Sequence, residues 1–380
     1  MIDKAVVGRR IASLRKALGY AQAAFAQKLH VSTQAVSKWE TGLALPDIEV
    51  LLNIAWMGKT SIHALLEGDD FIEARGDIDR GLMRASRFLI CPHCREQLMP
   101  EPPQKQKTPG FACSGGHRFA LDDGVLHFGT REVEGELWSL WLRNYEHYLL
   151  EQRHPGNPRY WQGQPHYREV MWQRMKALRP RVILDVACGT GSGIKYMIER
   201  IDWPATIIMA DVSHRILKWN RIFYGDEWRN PYVDMVYLAC DCARLPLADG
   251  CIDLVFSNGG FESMRQKMPD GFREAYRVLK PGGHALYNMS AIDDRSGANT
   301  QAWLKLLSSL DSGFLAEEAA RKINDWLATC RQTGYMENQA VKVYDELPAP
   351  TDGVFPYENE VLQWMAAYVI VSKKPCGLAS

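Results

Sequence analysis

The feature that most constrains this chain is the run Val182-Ile-Leu-Asp185-Val-Ala187-Cys188-Gly189-Thr-Gly191-Ser-Gly193. An apolar, strand-like segment runs into a loop with glycine at every second position, and a helix-length segment follows. Such glycines let the backbone pass close to a ligand without Cβ clashes. Asp185 lies four residues ahead of Gly189, at the predicted strand end. There a carboxylate can receive an ammonium group, directly or through water, and it would repel the pyrophosphate of a dinucleotide. Further apolar runs recur through residues 180–290, as TIIMAD, VDMVYLACD, CIDLVFS and HALYNMS. Their alternation with helix-length segments predicts strand–helix units and a parallel sheet.

The N-terminal 70 residues have a different texture, that of short helices with tight turns. Ile11, Leu14 and Leu18 are spaced for one buried helix face, and Phe25 and Leu29 lie one turn apart in the next segment. Ser32 is placed to cap a third helix, TQAVSKWE. Val36 and Trp39 then face a core, and Thr33, Gln34, Ser37 and Lys38 point outward. Small polar and basic side chains at the start of an exposed helix suit base edges in a major groove. Residues 1–40 carry seven Lys and Arg against two Asp and Glu, and residues 41–70 carry one against five. The positive end coincides with the candidate recognition helix.

VSTQAVSKWETGLALPDIEVLLNIA resembles the phage-repressor/Cro (XRE) type of helix-turn-helix, over about residues 5–67. The resemblance implies DNA binding through residues 1–67, with Gln22, Thr33, Gln34, Ser37 and Lys38 as contacts, by a dimer on repeated half-sites. Ala21 departs from the pattern, which has Thr or Ser capping the second helix.

Cys91-Pro-His-Cys94 and Cys113-Ser-Gly-Gly-His117 form two pairs of N/S donors separated by eighteen residues. Two such turns give four ligands for tetrahedral Zn2+. A unit this small has little core of its own, and a metal provides the missing stabilisation. His93, inside the first turn, is not expected to ligate. The pattern is similar to the N-terminal zinc module of bacterial ribosomal-RNA guanine-N1 methyltransferases. That resemblance implies an RNA-holding face, and residues 84–120 carry six Lys and Arg against two Asp and Glu. A zinc ribbon that only orients its neighbours is the alternative.

The glycine run is similar to motif one of class I S-adenosylmethionine-dependent methyltransferases, and later segments match that family in order. The resemblance implies that Asp185, Ala187, Gly189, Gly191 and Gly193 line the S-adenosylmethionine site. Asp211, ending TIIMAD, would hold the ribose hydroxyls, with Val212 beside it. Asp241 would take the adenine amino group and Cys242 a ring nitrogen. Ser257, ending LVFS, joins the cofactor-binding set. Cys188, Cys240, Cys242 and Cys251 are read as small apolar packing. Ser257-Asn-Gly-Gly-Phe-Glu262-Ser lacks the Asn-Pro-Pro-Tyr of amino-methylating enzymes, and the Pro-Cys of cytosine C5 methylation is absent. Base methylation of DNA is therefore disfavoured. Residues 145–167, rich in Tyr and Trp, are expected to form a lid, and His166 and Glu262 are candidate contacts to the acceptor.

The expected architecture is multidomain: an all-α helix-turn-helix (1–70), a small zinc ribbon (84–130) and an α/β Rossmann-like, seven-stranded methyltransferase domain (138–374). Two functions stay open. One is an enzyme methylating a small molecule or RNA. The other is a transcription regulator whose methyltransferase domain senses ligand. Lys and Arg balance Asp and Glu at 45 each, so net charge names no partner. No apolar run approaches a membrane span, and the N-terminus has no apolar leader. Nine cysteines without a disulfide-like spread point to a cytoplasmic setting.

Overall fold

The first fifty-odd residues form helices because most starts carry a side-chain cap and each helix hides one apolar stripe. The computed structural model describes residues 3–57, 65–66, 80–101, 109–130, 166–222, 224, 230–291, 301, 305, 321–343 and 366–376. Asp3 caps α1 (Lys4–Ala17), its Oδ1 accepting from the Ala5 N–H at 2.9 Å. Ala21 precedes α2 (Gln22–Lys28) with no side-chain bond, as its methyl group dictates. His30 enters the left-handed region at φ 54°, turning the chain. Ser32 Oγ then accepts from the Ala35 N–H at 3.1 Å to start α3 (Thr33–Glu40). Asp47 Oδ1 does the same at 2.8 Å for Val50 in α4 (Ile48–Met57).

Val7, Ile11, Phe25, Val36, Trp39 and Ile54 fill the core between these helices. Gly8 is where α1 meets α3: a Cβ there would lie 2.1 Å from the Trp39 carbonyl oxygen. The crossing is locked by a buried ion pair. Arg15 donates through Nε and Nη2 to both oxygens of Glu40, at 2.5 and 3.0 Å, and through Nη1 to the Tyr20 carbonyl at 2.6 Å. Gln22 donates its amide to Glu40 Oε2 at 2.7 Å. Thr33, Gln34 and Lys38 are exposed on α3 as expected, while Ser37, expected to point outward, is half-buried. The Gln22 amide braces the ion pair.

Residues 1–78 and 79–380 are two compact units. In the second, α5 (Arg80–Ala85) precedes four short strands: β1 (Met99–Pro100), β2 (Gly110–Ala112), β3 (Arg118–Asp122) and β4 (Val125–His127). There follow α6 (Tyr167–Leu178), β5 (Val182–Val186), α7 (Ser192–Ile198), β6 (Ala205–Asp211), α8 (His214–Asn220), β7 (Val233–Ala239) and β8 (Ile252–Asn258). The short α9 (Gly260–Ser263), α10 (Met268–Val278), β9 (Leu279–Ala291), α11 (Ile323–Thr333), β10 (Met336–Val343) and β11 (Ala366–Lys373) complete it.

The sheet order is β1-β2-β3-β4-β7-β6-β5-β8-β9-β11-β10. The sequence predicts seven strands, and β7 through β10 in that order are those seven. Among the described residues the sheet has eleven, because β4 pairs in parallel with β7, Val125 opposite Tyr237 and His127 opposite Ala239. The outer edge of β7 would otherwise present a row of unpaired backbone groups. The cysteine-bearing segment is therefore an extension of the sheet and not a free-standing ribbon.

Alternate residues of the central strands face opposite layers. Ile183, Ile207 and Phe256 join Met171, Ile194, Met197 and Leu217 from α6, α7 and α8. On the other face Phe261, Phe272 and Tyr287 stack, with ring centroids 4.2–5.3 Å apart. No described helix is long and apolar enough to cross a membrane.

Burial pushes the Glu40 carboxyl up, but the Arg15 and Gln22 hydrogen bonds outweigh it and hold the group below its ordinary value. Arg15→Met should destabilise the helical unit by about 3 kcal/mol, since it strands a buried carboxylate. The folded value is lowered, so the ion pair's contribution is fully present above the unfolded value and is lost as pH falls through the folded one. Hydrogen exchange of α1 and α3 in the intact chain should show the deficit at neutral pH, and a smaller one in acid.

Candidate functional site

Four strand ends build the site. β5, β6, β7 and β8 run parallel, and the loops after their carboxyl ends converge, as crevices of open α/β sheets do. Asp185 is 2% exposed on β5 and Asp211 is 3% exposed at the end of β6. The turn after β5 begins at Ala187, in the left-handed region at φ 49°. Gly191 is also left-handed, at φ 68°, and a Cβ there would lie 2.6 Å from Met209 Cε. The left-handed backbone favours glycine there, and a side chain would also have to displace the Met209 methyl and the Tyr224 ring. At Gly193 a Cβ would lie 2.7 Å from the Asn258 Cβ, so the start of α7 presses against the end of β8.

The loop is held by side chains from the segment after β6. Asp211 Oδ2 accepts from the Gly189 N–H at 2.8 Å, and its Oδ1 accepts from the Ser213 N–H at 2.9 Å. Asn220 donates to the Gly189 carbonyl at 2.7 Å, and Tyr224 to the Thr190 carbonyl at 2.7 Å. The position expected to contact a ribose is therefore an anchor of the loop itself. Asn220 and Tyr224 escape sequence reasoning because nothing in their local pattern marks them as loop partners; only the fold brings them there.

Asp185 has no such anchoring: its Oδ1 is buried without a hydrogen-bond partner among the described residues. Burial first, and the Asp211 carboxylate second, raise the Asp185 carboxyl well above the ordinary range. A cationic ligand would relieve both effects. Asp241 follows β7 and accepts from the Ala243 N–H at 3.0 Å, while Lys267 pairs with its Oδ2 at 2.6 Å. Val212 offers its carbonyl to Thr130, whose hydroxyl donates at 3.0 Å. Cys240 and Cys242 are buried, as expected of packing residues.

Three expected site residues make contacts within the fold. Ser257 is fully buried and donates to the Val186 carbonyl at 3.0 Å, tying β8 to β5. His166 caps α6, its Nδ1 accepting from the Arg168 N–H at 3.2 Å. Glu262 accepts from the Ser290 N–H at 2.5 Å and so braces the end of β9. Residues 145–165 of the expected lid lie outside the described residues. At the end of β8, Asn258 accepts from Asn288 at 2.7 Å and donates to the Tyr167 hydroxyl at 3.4 Å. This polar cluster on the Gly193 side of the crevice was legible only as the residue after Ser257.

The second donor cluster assembles as its spacing implies. The ligand atoms of Cys91, Cys94, Cys113 and His117 all lie within 4.8 Å of one another. Cys91 Sγ and Cys113 Sγ each lie 3.5 Å from His117 Nδ1, and Cys94 Sγ lies 3.5 Å from Cys113 Sγ. Bonds of about 2.0–2.3 Å to a central tetrahedral metal give edges of that size. Burial pushes the Cys113 thiol up, but bonds to His117 and the neighbouring thiols pull it down to about 6. His93 is not in the set; its ring packs 4.9 Å from the His117 ring.

Residues 184–287 match the family model described as a methyltransferase domain, and residues 11–55 match that of a helix-turn-helix. The malonyl-[acyl-carrier protein] O-methyltransferase of Marinomonas sp. (strain MWYL1) is 32% identical over 126 residues, 32% of this chain and 44% of that protein. The ubiquinone/menaquinone biosynthesis C-methyltransferase UbiE of Stenotrophomonas maltophilia (strain R551-3) is 29% identical over 170 residues, 43% of this chain and 63% of that protein. The chain thus spans about half the length of the curated relatives it matches. Among solved structures, the YcgJ protein of Bacillus subtilis superposes with a TM-score of 0.41 at 14% identity, covering 56% of this chain and 99% of that one.

Asp185→Asn should separate stability from binding. A carboxylate whose folded value is raised costs stability wherever it is ionised, and costs nothing once it is protonated in both states. At neutral pH the variant should melt higher without ligand, by about 2–4 °C for each kcal/mol of relieved repulsion. Scanning calorimetry at pH 7 checks this, and an unchanged or lower Tm would show that the buried carboxylate has a compensating partner.

Proposed function

We propose that the methyltransferase domain uses S-adenosylmethionine to methylate a small-molecule acceptor, and that the helix-turn-helix tethers it to DNA. The observation that carries this is Asp185: a buried carboxylate whose Oδ1 has no hydrogen-bond partner among the described residues, beside a second carboxylate and under a glycine loop. That donor set fits a ligand bearing an ammonium and a sulfonium. When bound, the cofactor supplies an electrophilic methyl group.

The chain's own residues do the rest. Asp185 holds the ammonium. Asp211 holds the ribose hydroxyls with the lone pairs not taken by Gly189 and Ser213, since an ionised carboxylate offers about four acceptor sites. Asp241 takes the adenine amino group once Lys267 swings aside; that ion pair is exposed and cheap to break. Ala187, Gly189, Gly191 and Gly193 keep the loop bare, Val212 packs beside the ring, and the Cys242 backbone meets it. Asn258, fixed by Asn288 and Tyr167, orients the acceptor, and proximity supplies much of the acceleration.

The relatives' names, a malonyl-[acyl-carrier protein] O-methyltransferase and a ubiquinone/menaquinone biosynthesis C-methyltransferase, favour a small or carrier-borne acceptor over RNA. Near the second cluster, Arg84 pairs with Asp234 and Arg95 with Asp249, tying the segment to the methyltransferase sheet, and Arg118 pairs with Glu101 within the segment; these carboxylates offset part of its positive charge. Cys91, Cys94, Cys113 and His117 hold a structural zinc. A ligand-sensing regulator is the second reading, favoured by the structural use of both His166 and Glu262.

Labelled S-adenosylmethionine, incubated with the protein and fractions of RNA, DNA and cell metabolites, decides between them. Transfer into the metabolite fraction is expected. Normal cofactor affinity with transfer to no fraction would establish the sensor.

Two further outcomes follow from the flanking domains. Elemental analysis of protein purified without chelator should give one zinc per chain, lost in Cys91→Ser; absence of zinc would remove the metal reading. On DNA, a dimer should occupy half-sites about one helical turn apart. Gln34→Ala should cost about 1–3 kcal/mol on the cognate site only, and Lys38→Ala should lower the salt slope by about one on every sequence. Random-sequence selection with salt titrations measures both.

A further inference from the structure

The segment that carries the Cys/His cluster also reaches the cofactor side of the sheet. His117 leads directly into β3, and the Phe119 ring of β3 packs 4.8 Å from that of Phe128, just beyond β4. β3 pairs with β4, and β4 lies along β7. From this hairpin four side chains converge on the turn and helix that follow Asp211. Thr130 donates to the Val212 carbonyl at 3.0 Å. Asp122 and Asp123 pair with Lys218 of α8 at 2.8 and 3.3 Å. The His127 ring meets that of His214 edge-on at 4.9 Å. At its far end α8 carries Asn220, which holds the Gly189 carbonyl. A second arm of the segment docks where the adenine-side loop returns: the Ile90 N–H donates to the Pro246 carbonyl at 3.0 Å, and the Ala248 N–H to the Phe88 carbonyl at 2.8 Å.

We propose that Thr130 and the β3–β4 hairpin are positioning elements of the cofactor site, so that metal binding and cofactor binding are thermodynamically coupled. The metal half of this rests on the zinc reading above. The two-state element is the hairpin. β4 and Val125 hold it on the sheet, and the metal fixes the cysteine-bearing turns that lead into β3; so fixed, it grips α8 and steadies both Asp211 and the glycine loop. Whatever tightens the cofactor site must in turn stabilise the hairpin and its metal by the same factor. Thr130 touches neither ligand and acts only through the Val212 carbonyl. The hydrogen bond spans 82 positions of sequence, and none of the motifs of the methyltransferase segment contains it.

The experiment uses the full chain loaded with zinc. Zinc release to a chromogenic chelator is timed with and without saturating S-adenosylhomocysteine, and S-adenosylmethionine affinity is measured by calorimetry. The cofactor product should slow zinc release about tenfold, within the usual range of coupling between sites. Thr130→Val should weaken cofactor affinity about fivefold and reduce that protection; Thr130→Ser, which keeps the hydroxyl, should restore both. Lys218→Met, which severs the two ion pairs on α8, gives the same pair of readouts if the valine variant does not fold. Zinc release indifferent to the cofactor product would overturn the coupling, and wild-type affinity in Thr130→Val would overturn the positioning role. A chain that binds no zinc overturns the metal reading separately, and the Thr130→Val affinity then decides the hairpin's role alone.

Discussion

A carboxylate enclosed by protein must find a cation or a proton, and no cationic side chain meets Asp185 among the described residues, so burial and Asp211 push its carboxyl up toward the protonated form. It stands on a central strand with Asp211 on the neighbouring one, so each additional feature of the crevice answers the same electrostatic problem. Asp211 is eased by two backbone N–H groups, from Gly189 and Ser213, and those bonds also fix the loop. Asp185 Oδ1 has no hydrogen-bond partner among the described residues. When ionised, this carboxylate is a local cost to the fold, which a proton or a positively charged group would relieve.

The helical unit solves its charge problem in the opposite way. Glu40 is also enclosed, but Arg15 and Gln22 come from neighbouring helices to meet it, so the charge is closed on itself and serves the fold. Local sequence cannot distinguish these two buried acids. One lies in a glycine-rich context and the other in a helix, and only the presence or absence of a partner from a distant residue separates a binding site from a brace.

That contrast also accounts for what could and could not be foreseen. The cap at Ser32, the uncapped start at Ala21, the order of strand and helix and the four-donor cluster are all local, and each was legible. Ser257, His166, Glu262 and Gln22 have polar groups at plausible positions, yet each is engaged with a backbone or side-chain group whose identity depends on packing. Asn220, Tyr224 and Thr130 carry no motif at all. The extension of the sheet was invisible for a related reason. Strand pairing between β4 and β7 joins residues more than a hundred positions apart, and β4 is too short for its pattern to announce an edge.

The parallel pairing of β4 on β7 has a consequence for how such a chain fails. A three-residue strand held at the rim of a large sheet covers hydrogen-bonding groups that would template another strand. If thiol oxidation or metal loss released the segment, the apolar rim of β7, with Val236, Leu238 and Ala239 behind it, would be bared while the remainder of the sheet stayed intact. The damaged molecules would then be expected to join edge to edge and precipitate, so chemical injury at four side chains would be expressed as aggregation of the whole protein.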